Sequence, residues 1–200
     1  SQCRSIDEVI SGLKGTIYYS PLESLRQKGQ AVLPACETAV DMLYFKTVWK
    51  IKEKYLSGQE KKDLTQCFGT RMDMLNLQWI CRAKKYYHLP EGEIYAMIIP
   101  ISLHLKKTEI RAMAQAEDVE QVYALIRNSW YGRLDLGNLE KGQSLEEPCR
   151  EVIDRIYELT SRKEPYSASV LNSYLYFKER EIEKIITTIE RIRYGVAAGI

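Results

Sequence analysis

The chain has 200 residues and a mass of 23.2 kDa, room for one large domain or two small ones with a substantial core. Apolar residues make up 45% and charged residues 28%, and 29 Lys and Arg against 27 Asp and Glu leave a formal charge of +2. This balance excludes end-to-end disorder and a chain whose main work is holding phosphates by net charge. No apolar run approaches the roughly 18–20 residues that span a bilayer, and the first residues lack the apolar stretch of a signal peptide, so a soluble chain is expected.

Valine is sparse, Asn-Gly and Asp-Gly turns are absent, and no segment alternates over strand length, so an all-α fold is predicted. In chain order the helices fall near 5–14, 21–27, 34–56, 70–88, 91–98, 108–115, 117–128, 144–162 and 166–195, with loops at 57–59 and 132–138. Ser144 can cap the eighth helix while Glu147 reaches back, and Pro148 is tolerated in the first turn. On the last helix Leu171, Leu175, Ile182, Ile185, Ile186, Ile189, Ile192 and Val196 fall in one arc about 120° wide. Such a stripe is also compatible with a coiled coil, but a long helix among many short ones points to packing inside a helical domain. Gly195 is the expected stop, with Arg191 and Arg193 at the negative end of the helix dipole.

Five cysteines at 3, 36, 67, 81 and 149 form no CxxC clip, and there are two histidines, His88 and His104. An odd count at wide spacing fits reduced, buried thiols in a cytosolic protein, with no structural metal.

The chain repeats itself. Shifted by 113, Val9 falls on Val122, Tyr18 on Tyr131, Lys28-Gly29-Gln30 on Lys141-Gly142-Gln143, Cys36 on Cys149, Asp41 on Asp154 and Tyr44 on Tyr157. These eight identities in the forty positions from Ser5 to Tyr44 exceed the about two or three expected by chance. Beyond Tyr44 the offset drops by about five, and Met72 to Leu77 then lies against Arg180 to Ile185 in pattern only. The expected organisation is the tail of one helical unit at 1–18, a complete unit at 19–131 and part of another at 132–200, an excerpt of a longer array.

Helix 70–88 carries apolar residues over roughly 200°, more than one buried face, and Asp73, Asn76 and Lys84 sit inside that arc. A buried carboxylate or amide left without partners costs roughly 1–3 kcal/mol, so these residues predict a structural polar cluster tying the helix to a neighbour. No second acid, histidine or nucleophile is placed to make Asp73 catalytic. GxxxxGK[ST], GxGxxG, HExxH and GxSxG are all absent, so no nucleotide, metal or other cofactor is implied. Cys81 to His88 interleaves basic and aromatic residues. A helical-repeat protein gripping nucleic acid through Arg82, Lys84, Lys85 and the adjoining tyrosines is the alternative reading, although a solvated face beside a tyrosine-rich packing surface explains the same letters. Fourteen tyrosines against three phenylalanines suit half-polar protein interfaces.

Two motifs are distinctive. The first is Gly69-Thr70-Arg71-Met72-Asp73-Met74-Leu75-Asn76-Leu77-Gln78-Trp79-Ile80-Cys81-Arg82-Ala83-Lys84, continuing through Tyr86-Tyr87 to Ile98-Ile99-Pro100. The second is Tyr174-Leu175-Tyr176-Phe177-Lys178-Glu179-Arg180-Glu181-Ile182, followed by Ile192-Arg193-Tyr194-Gly195. With these, nearly the whole chain resembles the C (or d) subunit of rotary V-type and A-type ATPases. The resemblance implies three similar all-helical units arranged as a funnel, of which the first unit and a short segment after Ile200 lie outside this sequence. It further implies a non-catalytic, cytoplasmic, peripheral piece that sits on the membrane proteolipid ring, receives the foot of the central stalk and passes torque for proton or sodium transport, with no nucleic-acid partner. The family's Asp-x-x-Asn pair maps onto Asp73 and Asn76 and its following basic positions onto Arg82 and Lys84. Arg82, Lys85, Lys178 and Glu181 are the candidate partner contacts. At the repeated position Lys184 stands where the family often has Asn, which favours a structural role for the pair.

Overall fold

A computed structural model of the chain describes residues 3–134, 136 and 144–195. Ser5 opens α1 (Ile6–Gly12) by accepting a hydrogen bond from the Glu8 amide, and α2 (Tyr19–Gln27) follows after a short turn. Pro34, preset for a first turn, starts α3 (Leu33–Tyr55). The loop expected at 57–59 shrinks to an extended Leu56 and Ser57, because Gly58, at φ 57°, already opens α4 (Gly58–Arg82). The helix expected at 70–88 is therefore the second half of a longer one. It widens at Ala83–Tyr87 into a turn of π-helix and ends at His88 in the left-handed region.

Next come α5 (Glu91–Met97), α6 (Lys107–Gln115) and α7 (Val119–Asn128), the last capped by the Asp118 carboxylate on the Gln121 amide. A 3-10 turn (Trp130–Arg133) occupies the start of the loop expected at 132–138; of that loop, 135, 137 and 138 lie outside the described residues, as do the repeat positions 141–143. Two long helices, α8 (Glu146–Ser161) and α9 (Ala168–Arg193), complete the fold. The capping box expected at Ser144 does not form: Leu145 is the cap residue and Glu147 pairs with Arg150 at 2.7 Å. Ser144 Oγ instead accepts the Glu146 amide at 3.3 Å. Gly195, at φ 64°, does end α9, donating to the Ile192 carbonyl. The fold is all-α, with no strand among the described residues.

The spine of the fold is α4, and its neighbours explain the wide apolar arc. Toward α3 it presents Met72, Leu75 and Trp79 to Met42, Phe45 and Trp49. Lys52 of α3 is 2% exposed and lies between the two helices, its ammonium 2.7 Å from Thr65 Oγ1, 2.8 Å from a Glu53 carboxylate oxygen and over the Trp49 ring. On the other side Met74, Leu77, Ile80 and Cys81 meet Ile94 of α5, Met113 of α6, Val122 and Ile126 of α7, and Cys149 and Val152 of α8. Below them Cys67, Tyr157 and Tyr176 join α4, α8 and α9, with the two tyrosine rings 4.1 Å apart. Val196 lies outside the described residues, and the rest of the apolar stripe on α9 is not packed inside the fold. Leu171, Leu175, Ile182, Ile185, Ile186, Ile189 and Ile192 are each more than half exposed. α9 is held instead through its opposite face, by Ser169, Ser173 and Tyr176. Amphipathicity shows that a helix has a partner face; it does not say that the partner is in this chain.

The thiols divide by burial. Cys67, Cys81 and Cys149 are buried and Cys3 is exposed, with Cys36 between. Burial pushes the thiols up, Cys67 to about 11 and Cys149 to about 12, so both are protonated at neutral pH. Thiol titration at pH 8 should modify Cys3 and Cys36 in the folded chain and the other three only on unfolding. More than two fast thiols would contradict this core.

Candidate functional site

Asp73 and Asn76 stand one turn apart on α4, both with 0% exposure, and both reach the segment 98–106 that joins α5 to α6. Asn76 forms a two-way pair with Ile99: its Nδ2 donates to the Ile99 carbonyl at 3.1 Å and its Oδ1 accepts the Ile99 amide at 2.8 Å. This is the pairing a strand neighbour would offer, supplied to a segment that has none. Asp73 takes the next turn of the same segment. Its Oδ1 accepts the Leu103 amide at 3.1 Å, and its Oδ2 accepts His104 at 2.8 Å and Leu105 at 3.2 Å.

A fourth donor arrives from farther along the chain. The 3-10 turn at Trp130–Arg133 buries Tyr131 completely and brings its hydroxyl to Asp73 Oδ2 at 2.7 Å. Ser129 sets that turn by accepting the Tyr131 amide, and Trp130 stacks on His104 with ring centroids 3.7 Å apart. Burial pushes the Asp73 carboxyl above its usual range, opposed by the amides of His104, Leu103 and Leu105 and by the Tyr131 hydroxyl. Burial likewise raises Tyr131 and lowers His104, the latter against the pull of Asp73. With four donors on its two oxygens, Asp73 is occupied in holding backbone and is not placed to move a substrate's proton. The arrangement is a clamp.

The other sequence candidates sit elsewhere. Lys84 is half-buried and makes no hydrogen bond to Asp73 or Asn76. The α-helical spacing that put it in their arc fails at Ala83, where the backbone widens to a π turn and shifts every later side chain around the axis. Arg82 is paired with Glu146 at the start of α8. Lys85 lies along the Tyr86 ring at 5.4 Å. Lys178 and Glu181 pair with each other across one turn of α9 at 2.6 Å. Tyr86 and Tyr87 are exposed, but the cations flanking them do not form an unpaired basic stripe. Sequence reasoning missed Tyr131 as part of the cluster, although its match with Tyr18 in the repeat marked it, and missed that Ile98-Ile99-Pro100 in the same motif is the segment being clamped.

Among the described residues no group of three His, Cys, Asp or Glu side chains is placed to hold a metal, and no helix is long and apolar enough to cross a membrane. The groove of about 660 Å³ between the start of α8 and α9 is lined by Glu146, Glu147, Arg150, Arg180, Glu183 and Arg191. Two of its arginines are already satisfied, Arg150 by Glu147 and Arg180 by Asp154.

The polar groups buried in this cluster, Asp73 and Asn76, are spent on the chain's own backbone and on Tyr131. The chain belongs to the ATP synthase (C/AC39) subunit family, whose model matches residues 1–199, a family of non-catalytic stalk subunits of rotary ATPases. Among its relatives are two C subunits of archaeal A-type ATP synthases. That of Pyrococcus abyssi is 26% identical over 204 residues, covering 98% of this chain and 53% of the relative, and that of Pyrococcus horikoshii is 27% identical over 193 residues, covering 92% and 50%. The corresponding A-type ATP synthase protein of Methanobrevibacter smithii is 24% identical over 196 residues, covering 93% and 50%. The chain thus spans about half the length of the curated relatives it matches. No solved structure gives a significant match.

Proposed function

We propose that this chain is part of the coupling piece of a V/A-type ATPase, joining the central stalk to the membrane proteolipid ring from the cytoplasmic side and transmitting torque without chemistry of its own. The observation that carries the reading is α4. A helix of 25 residues, about 38 Å long, is fixed at once by α3, by the clamped segment 98–106 and by α8 and α9. A torque-bearing part must not shear between its helices, and close packing with hydrogen-bonded cross-links over long sequence separations supplies that resistance. In the same reading the units are tandem: α8 and α9 stand to each other as α3 and α4 do, and the proposed boundaries are 1–18, 19–131 and 132–200.

The test is co-purification. The tagged chain, expressed in its own host and recovered from membranes in mild detergent, is expected to bring down the proteolipid ring and central-stalk subunits. Recovery of neither sinks the coupling reading.

A further inference from the structure

Between the end of α5 and the start of α6 lies a cleft of about 440 Å³. Its floor is apolar, with Ile98 half-buried and Ile99 and Ile110 buried. Around that floor stand five side chains that can donate: the hydroxyls of Tyr95, Ser102 and Thr108, the Lys107 ammonium and the Arg111 guanidinium. Among the described residues none of these five side chains has a hydrogen-bond or ion-pair partner. None of the three acids on α5 and α6 lines the cleft. Glu109 accepts the Lys106 amide at 2.7 Å, Glu91 accepts Gln115 Nε2 at 3.1 Å, and Glu93 lies outside the lining.

This lining differs from that of the other grooves. Beside α9, Arg71, Arg82, Arg150 and Arg180 are each paired with an acid. Lys107 and Arg111 are not, although they stand one turn apart on α6 and are neighbours on its surface. The floor is also held in place. Asn76 fixes Ile99 from both sides of its peptide, and Asp73 fixes the backbone of 103–105, so the cleft is formed before anything enters it. It lies on neither junction between repeated units. α8 and α9 pack on α4, α2 packs on α3, and the lining contains no residue of α1, α2, α3, α8 or α9.

We propose that this cleft is a docking site for an acidic segment of a partner protein, which sets an apolar side chain on the isoleucine floor and a neighbouring carboxylate between Lys107 and Arg111. Each half of that chemistry answers one half of the lining: an apolar side chain removes the isoleucines from water, and a carboxylate supplies the acceptor that the donors lack. Tyr95, Pro100, Lys107, Thr108 and Arg111 are exposed, so the cleft is open on one side. A small molecule there falls short of the roughly 70–90% burial usual for a ligand, whereas a side chain projecting from a protein brings its own backbone to close the cleft. Two cations over isoleucines, with Tyr95 the one ring in the lining, do not suit a phosphate backbone with stacked bases. The inference stands on this cleft and not on the coupling role.

The test is selection of a phage-displayed library of random peptides on the 200-residue chain, with depletion on a double variant, Lys107→Glu with Arg111→Glu. The variant keeps the isoleucine floor and reverses the charge at its edge. Peptides that bind the chain and not the variant are expected, carrying Asp or Glu beside Leu, Ile or Phe. A synthetic copy of such a peptide is expected to bind the double variant about a hundredfold more weakly, about tenfold for each cation lost. In nitrogen–proton correlation spectra it should shift amides within 95–111 and leave those of α8 and α9 in place. A library that yields no peptide separating chain from variant overturns the inference. So does a separating pool without the paired acidic and apolar residues, and so do shifts that fall outside the cleft. Sodium octanoate that moves the same amides at lower concentration than the peptide overturns the protein partner and assigns the cleft to a small amphipathic acid. If the double variant loses helical content, Lys107→Ser with Arg111→Gln makes the same comparison.

Discussion

Asp73→Ala is expected to lower the thermal unfolding midpoint by about 10 °C, against a change within error for Lys62→Ala on the same helix. The difference follows from where each side chain spends its hydrogen bonds. Lys62 is exposed, and surface changes away from special features stay within about 0.5 kcal/mol. Removing the Asp73 carboxylate leaves the amides of Leu103, His104 and Leu105 and the Tyr131 hydroxyl without their acceptor. Each buried orphan costs roughly 1–3 kcal/mol, and partial rehydration of the segment keeps the sum to about 4 kcal/mol. For a chain of this size that is about 10 °C. Asp73→Asn, which keeps one carbonyl oxygen but turns an amide toward the backbone donors, should fall between. Tyr131→Phe removes one donor and leaves the carboxylate its three amides, so its loss should be smaller still. Equal midpoints for Asp73→Ala and Lys62→Ala, read by circular dichroism, would mean that the clamp does not hold the fold.

What the letters disclosed and what they hid have separate physical causes. Helix positions were legible because periodic apolar residues act locally: α3, α6 and α9 fall within a residue or two of their expected spans. That Asp73 and Asn76 need partners was legible from their place in an apolar arc. Their partners were not, because a carboxylate bound by the backbone of 103–105 leaves no side-chain signature in those residues. Lys84 was placed with them by extending one helical period across Ala83, and a π turn is invisible to periodicity. The stripe on α9 had the opposite fate. Its residues were read as packing inside the helical domain, yet the face is exposed, since a hydrophobic pattern records a demand for burial and not what meets it.

Gly132→Ala is expected to be as damaging as losing Asp73 itself, though Gly132 touches no polar group of the clamp. A Cβ built at Gly132 would run into the carbonyl oxygen and carbon of Arg127 and come within 2.8 Å of its Cα. All three are backbone atoms of the last turn of α7, so no rotamer relieves the clash and the 3-10 turn must move away from the helix. The turn carries Tyr131, whose hydroxyl is 2.7 Å from Asp73, and Trp130, stacked on His104. Moving it opens the clamp from the side opposite the 98–106 segment. Gly69→Ala offers a graded comparison. Its Cβ would meet Leu103 Cβ at 2.7 Å, an atom no rotamer moves on a segment Asp73 holds, but a smaller overlap than the one at Gly132. Overpacking of that kind costs about 1–3 kcal/mol. The expected order of unfolding midpoints is therefore wild type, Gly69→Ala, then Gly132→Ala well below both. Near-ultraviolet circular dichroism should show Gly132→Ala altering the Trp130 environment while Gly69→Ala leaves it unchanged. A Gly132→Ala protein with wild-type midpoint and aromatic signal would show that the turn is not rigidly set against α7, and that Tyr131 reaches Asp73 by adaptation instead of by construction.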